Sequence, residues 1–158
     1  MPTKKIKLGE KVPDFKAPST GNKTIKLSSL KGKNIVIYFY PRDATPGCTI
    51  EGQNFRDNIR KFSSRNTIIL GVSRDSIASH EKFKKNQKFS FDLLSDEDEK
   101  LCKIFDVIKE KNMYGKKVMG IERSTFLIDQ KGILLQEWRK VKVKNHVEEV
   151  LETLKKLI

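Results

Sequence analysis

The chain has 158 residues, 37% hydrophobic and 34% charged. Its apolar residues cluster in short dense runs with no Pro/Gly/Ser-rich gap between them, which excludes a disordered chain and predicts one domain over residues 1–158. Neither the opening "MPTKKIKLGEKVPDF" nor any later stretch has the consecutive apolar residues of a signal peptide or a bilayer span, so the expectation is a cytoplasmic protein with no membrane partner. The net charge of +13 invites a nucleic-acid reading, but most of the 33 basic residues are lysines scattered along the chain without interleaved aromatics; the charge reads as a solvated surface with no specific nucleic-acid partner.

In chain order, "DFKAPSTGNKTIKLSSLKGK" (14–33) predicts a short β-hairpin and a turn. "NIVIYFYP" (34–41) and "TIILGVS" (67–73) are continuous β-branched and aromatic runs, the pattern of central parallel strands covered on both faces. Between them Phe55, Ile59 and Phe62 recur at helical spacing, which makes a strand, helix, strand crossover. "SIASHEKFKKNQKF" (76–89) predicts a second helix capped by Ser76. After "FDLLSD" (91–96), "EDEKLCKIFDV" (97–107) predicts a third, whose acidic start suits the positive end of a helix dipole. "STFLIDQKGILLQEWR" (124–139) reads as a hairpin turning at Gln130 to Gly132. "NHVEEVLETLKKLI" (145–158) closes the chain as an amphipathic helix with Val147, Val150, Leu151 and Leu154 on one face. This is the order of a thioredoxin-like α/β fold: a central mixed sheet flanked by helices, with an N-terminal β-hairpin.

"PRDATPGCT" (41–49) falls at the C-terminal end of the first buried strand, where open α/β sheets place their chemistry. Thr45 suits the N-cap and Pro46 the first helical position, which puts Cys48 among unpaired backbone N–H groups in the first turn. Such a site favours an anion. Helix N-termini and nearby cations bring a thiol below its usual pKa of about 8.5, and thiolate is the nucleophilic form. The residues alone leave a second reading open, Cys48 as a small buried hydrophobe.

"PRDATPGCT" also resembles the Pro-x-x-x-Thr-x-x-Cys signature of peroxiredoxins, and "YGKKVMGIERSTFLID" (114–129) is similar to the distal segment that supplies their active-site arginine. The similarity runs over nearly the whole chain, including "VPDF" and "LLSDEDEKLC", and is nearest to the bacterioferritin comigratory protein, or PrxQ, group. The resemblance implies a thiol-dependent peroxidase acting on hydrogen peroxide and organic hydroperoxides. Cys48 would attack the distal peroxide oxygen and become a sulfenic acid. Arg123 would stabilise the charge moving onto the leaving oxygen, Thr45 would hydrogen-bond the peroxide, and Pro41 would shield the pocket from water. No metal or organic cofactor is implied, and the group suggests a monomer. Taken singly, Thr45 reads as a helix cap, Pro41 as a strand stop and Arg123 as a surface cation. Arg42 and Glu51 lie nearby and are expected to be solvated charges.

The chain departs from a frequent pattern of the group at Gln53, where many members carry a resolving cysteine. The remaining thiol, Cys102, lies beside Leu101, Ile104 and Phe105 and reads as a core residue. A resolving role for it would require local unfolding to reach disulfide geometry with Cys48. A one-cysteine type cycle is therefore expected, with thioredoxin, glutaredoxin or a low-molecular-weight thiol as external reductant. A disulfide reductase would need Cys-x-x-Cys, which is absent, and a zinc module would need clustered ligands, whereas Cys48, His80, Cys102 and His146 are far apart in sequence. The alternative is a non-catalytic basic thioredoxin-fold module that binds nucleic acid or a protein partner.

Overall fold

The computed structural model describes residues 6–158. An N-terminal hairpin of β1 (Lys16–Ser19) and β2 (Lys23–Lys26) leads through a 3-10 turn into β3 (Asn34–Phe39). Then come α1 (Pro46–Asp57), α2 (Ile59–Ser63), β4 (Thr67–Ser73), α3 (Ile77–Gln87), β5 (Asp92–Ser95) and α4 (Lys100–Ile104). The chain continues through β6 (Ile108–Met113), β7 (Lys116–Ile121), β8 (Ser124–Ile128) and β9 (Leu134–Trp138) to α5 (His146–Leu157).

Seven strands form one mixed sheet in the order β2-β1-β5-β4-β3-β8-β9. The two apolar runs at its centre, β3 and β4, pair in parallel with Ile37 opposite Leu70, while β8 runs antiparallel on the other side of β3 with Phe126 opposite Ile37. The hairpin of β8 and β9 turns where the sequence predicts: Gly132 takes φ 86, and the Asp129 carboxylate accepts from the Lys131 and Ile133 amides, each at 2.9 Å.

Because side chains alternate across a strand, β3 sends its residues to two separate cores. Val36, Tyr38 and Tyr40 pack with Cys48 and Phe55 of α1, Phe62 of α2, Phe83 of α3 and the Val147, Val150, Leu151 and Leu154 face of α5. Ile35, Ile37 and Phe39 face the other way, onto Val12, Phe15 and the Leu101, Cys102 and Ile104 face of α4. Each fully buried aromatic among these contributes on the order of 2 kcal/mol.

Three elements differ from the sequence reading. The helix expected from Pro46 on, with Phe55, Ile59 and Phe62 at helical spacing, starts there but breaks at Asn58 (φ −109, ψ 10), whose side-chain amide turns back onto the Asn54 carbonyl at 2.7 Å. The helix expected over 97–107 shrinks to five residues, since Glu99 (φ 62) and Asp106 (φ 54) on either side are left-handed. An additional hairpin, β6 with β7, forms a separate two-stranded sheet around Tyr114 (φ 53) and Gly115 (φ 78), two consecutive left-handed residues of the kind a tight hairpin turn requires.

Candidate active site

Thr45 occupies the N-cap of α1 in extended conformation and Pro46 follows as the first helical residue, where its fixed φ and missing N–H cost nothing. Cys48 is then the third helical residue, and the ladder opens with the Thr49 amide on the Thr45 carbonyl at 2.9 Å. The thiol thus sits at the positive end of the helix, 2% exposed. One expectation needs correcting: the Thr45 hydroxyl does not cap the helix but donates to the Arg42 carbonyl at 2.8 Å, closing the loop before the helix. Pro41, half-buried, follows the end of β3 and lines an open groove with Arg42, Arg74, Asp75, Glu97 and Glu99.

Arg123 lies in the short link between β7 and β8, 75 residues further along, yet its Nη2 reaches to 3.4 Å from the Cys48 sulfur. Its Nη1 donates to Glu51 Oε1 at 2.6 Å. Gly47 eases this approach, because a Cβ there would stand 3.2 Å from Arg123 Nη2 and the guanidinium would have to give by a few tenths of an ångström. Burial works against the guanidinium charge, but Glu51 and Cys48 outweigh it and hold the Arg123 pKa above its ordinary value.

Glu51 is the second correction. It is not a solvated charge: its side chain is fully buried and its Oε2 has no partner among the described residues. Burial lifts its pKa from 4.5 to about 7, with the Arg123 charge pulling back only part of the way. A legible sign of this was its place on the stripe Cys48, Glu51, Gly52, Phe55, all buried on one face of α1. Arg42 is exposed, as expected.

Two further groups escape a reading by motif. His146, at the start of α5, has its Nε2 2.7 Å from the Thr125 hydroxyl, and burial followed by the Arg123 charge lowers its pKa to about 4, so it is neutral at pH 7. Lys111, on β6, is half-buried and its pKa is lowered first by burial and then by Arg123, with Cys48 acting in the opposite sense.

Cys102 is not part of this arrangement. It packs in the core on the opposite face of the sheet from Cys48, fully buried. Its amide donates to Asp96 Oδ2 at 2.8 Å, and burial together with Asp96 pushes its thiol pKa well up, toward the protonated and inert form. The structure thus gathers Cys48, Arg123 and the Pro41 to Thr45 loop at one end of β3 and leaves Cys102 beneath the sheet.

The chain belongs to the AhpC/TSA family, whose model matches residues 8–137. Within it, the chain groups with the Bcp/PrxQ peroxiredoxins, which are thiol peroxidases. Peroxiredoxin Bcp of Bacillus subtilis is 53% identical over 150 residues, covering 95% of this chain and 96% of that one. A structure of Xanthomonas campestris Peroxiredoxin Q superposes with a TM-score of 0.87 at 52% identity, covering 90% of each chain. Another, from work on the alkyl peroxide reduction activity of the Xanthomonas campestris bacterioferritin comigratory protein, gives 0.86 at 51% identity with the same coverage. These likenesses carry the thioredoxin-like fold and do not favour a non-catalytic basic module. No helix among the described residues is long and apolar enough to cross a membrane.

Proposed function

We propose that the protein reduces hydrogen peroxide and organic hydroperoxides with Cys48 as the attacking nucleophile. The observation that carries this is the Arg123 guanidinium 3.4 Å from a buried sulfur at the first turn of a helix. Guanidinium and helix terminus both favour negative charge on that sulfur. The thiolate attacks the distal oxygen, the O–O bond breaks, and the alkoxide or hydroxide takes up a proton and leaves as alcohol or water. Cysteine sulfenic acid remains. Arg123 steadies the charge as it passes from sulfur to the leaving oxygen, and its planar fork suits contact with both at once. Pro41 excludes water from the entrance, and Thr45 offers its hydroxyl oxygen to the peroxide proton while its hydrogen stays on Arg42. No metal or organic cofactor enters these steps.

Return to the thiol falls to an external reductant, because Cys102 lies across the sheet and Gln53 offers no sulfur. Two equivalents of an outside thiol, from thioredoxin, glutaredoxin or a low-molecular-weight thiol, take the sulfenic oxygen as water and depart as a disulfide. The chain works as a single-domain monomer in the cytoplasm, a compartment that suits two free cysteines.

A peroxidase assay with each thiol donor tests this. Cys48→Ser abolishes turnover, and Arg123→Ala lowers the rate of Cys48 oxidation by about 10²- to 10³-fold, as the loss of one charge-stabilising donor does elsewhere. Wild-type turnover in the Cys48→Ser protein would overturn the proposal.

A further inference from the structure

A buried polar cluster stands where the ends of three parallel strands meet. At its centre is His80 of α3, with a side chain 0% exposed. Its Nε2 lies 2.9 Å from the Leu94 carbonyl, which can only accept, so Nε2 carries a hydrogen. Its Nδ1 lies 2.7 Å from Asp43 Oδ2. That same oxygen takes the Ser79 hydroxyl at 2.7 Å, and Asp43 Oδ1 takes the Tyr40 hydroxyl at 2.6 Å. One proton lies between Asp43 Oδ2 and Nδ1, so the ring bonds on both sides at once and joins β5 to the loop after β3.

The cluster extends to the end of β4. The Asp43 amide donates to Asp75 Oδ2 at 2.9 Å, which also accepts the Ser73 hydroxyl, and the Ser95 hydroxyl donates to the Asp75 carbonyl at 2.6 Å. Ligand atoms of Asp43, Asp75 and His80 lie within 4.8 Å of one another, but they are engaged in these hydrogen bonds, so the group works as a clamp and not as an ion cradle.

What it clamps is the loop that carries the chemistry. Asp43 lies between Pro41 and Thr45, and the next residue, Ala44, is held at φ 62, a conformation that a side chain with a Cβ disfavours. Thr45 fixes the far end through the Arg42 carbonyl. Left to itself, this loop would relax, and the first turn of α1 would move with it.

We propose that His80 is a positioning residue for peroxide reduction: through Asp43 it holds residues 41–45 and the first turn of α1 where the Cys48 sulfur meets the Arg123 guanidinium. This rests on Cys48 being the peroxidatic nucleophile. A neutral amide at position 80 supplies hydrogens from one atom only and cannot satisfy the carboxylate and the carbonyl together.

The test measures oxidation of Cys48 by hydrogen peroxide under single-turnover conditions in His80→Gln and in the near-isosteric Tyr40→Phe, with nitrogen NMR of His80 in the wild type. His80→Gln is expected to slow oxidation by about tenfold to a hundredfold, the scale of a misplacement near 1 Å, and Tyr40→Phe to slow it less. Nε2 is expected to carry a hydrogen and Nδ1 to share one with Asp43, a signature that a merely space-filling histidine would not give. Should His80→Gln fail to fold, Tyr40→Phe and the spectrum decide. Oxidation within twofold of wild type in the folded variants, or a bare Nε2 on His80, overturns the inference and leaves Cys48 untouched. Peroxidase activity in Cys48→Ser would instead overturn the reading on which it rests.

Discussion

Replacing Glu51 by glutamine tests whether the active site stores a buried carboxyl that prefers to be neutral. Glutamine has nearly the same shape and keeps an oxygen for Arg123 Nη1, so packing changes little while the titration disappears. In the folded protein burial lifts the Glu51 pKa from 4.5 to about 7. The native state then binds this proton more tightly than the unfolded chain. The associated stability is full below pH 4.5 and is lost as the pH rises to about 7. At about 1.4 kcal/mol per pH unit, the loss is about 3 kcal/mol. His146 works in the opposite direction, because its native pKa is lowered from 6.5 to about 4 and its stability is lost as the pH falls through that window. The two nearly offset in the wild type, so only the difference between variant and wild type isolates Glu51. Denaturant unfolding of both proteins at intervals from about pH 4 to 8 gives that difference. The Glu51→Gln protein is expected to gain about 3 kcal/mol relative to wild type as the pH rises across this range. A difference that does not change with pH refutes the reasoning.

Removal of the opposing group, His146→Gln, should leave a protein that resists acid better, with about 3 kcal/mol less stability lost than wild type between pH 6.5 and about 4, read from the same unfolding curves. Gly52→Ala should destabilise by about 2 kcal/mol or more, because a Cβ there would stand 2.3 Å from the Phe89 ring. That ring cannot yield easily, being stacked on Phe91 at 4.9 Å and edge-on to Phe83 at 5.1 Å, and thermal unfolding reads the effect. Cys102→Ala should keep full peroxidase turnover with any external thiol while costing about 1–2 kcal/mol of stability through the core void; loss of turnover at intact stability would show that this sulfur takes part.

Much of the architecture was written in local patterns. The runs 34–41 and 67–73 could only be covered strands, and they form the paired centre of the sheet. The C-terminal helix and the hairpin at 124–139 follow their periodicity and turn residues closely. The lysine-rich β6–β7 hairpin was not legible, because its largely exposed strands, IKEKNM and KKVMGI, show neither a period-two alternation nor the β-branched density that marks a buried strand. The short α4 reads longer in sequence than it is, because Glu99 before it and Asp106 after it turn left-handed, and its first amides, those of Leu101 and Cys102, bond to the Asp96 carboxylate from the preceding loop.

For the site, local chain chemistry already placed Cys48 in the first turn of a helix at the end of a buried strand, since caps, proline preference and strand ends are local properties. It could not decide what stands around the sulfur. The nearness of Arg123 across 75 positions, the burial of Glu51 against it, and the clamp on Asp43 from His80 and Tyr40 are all set by how the sheet brings distant segments together. So is the separation of the two thiols, which follows from the alternation of β3 side chains toward two cores. Electrostatic partners act over a few ångströms in space, and no spacing along the chain records that distance.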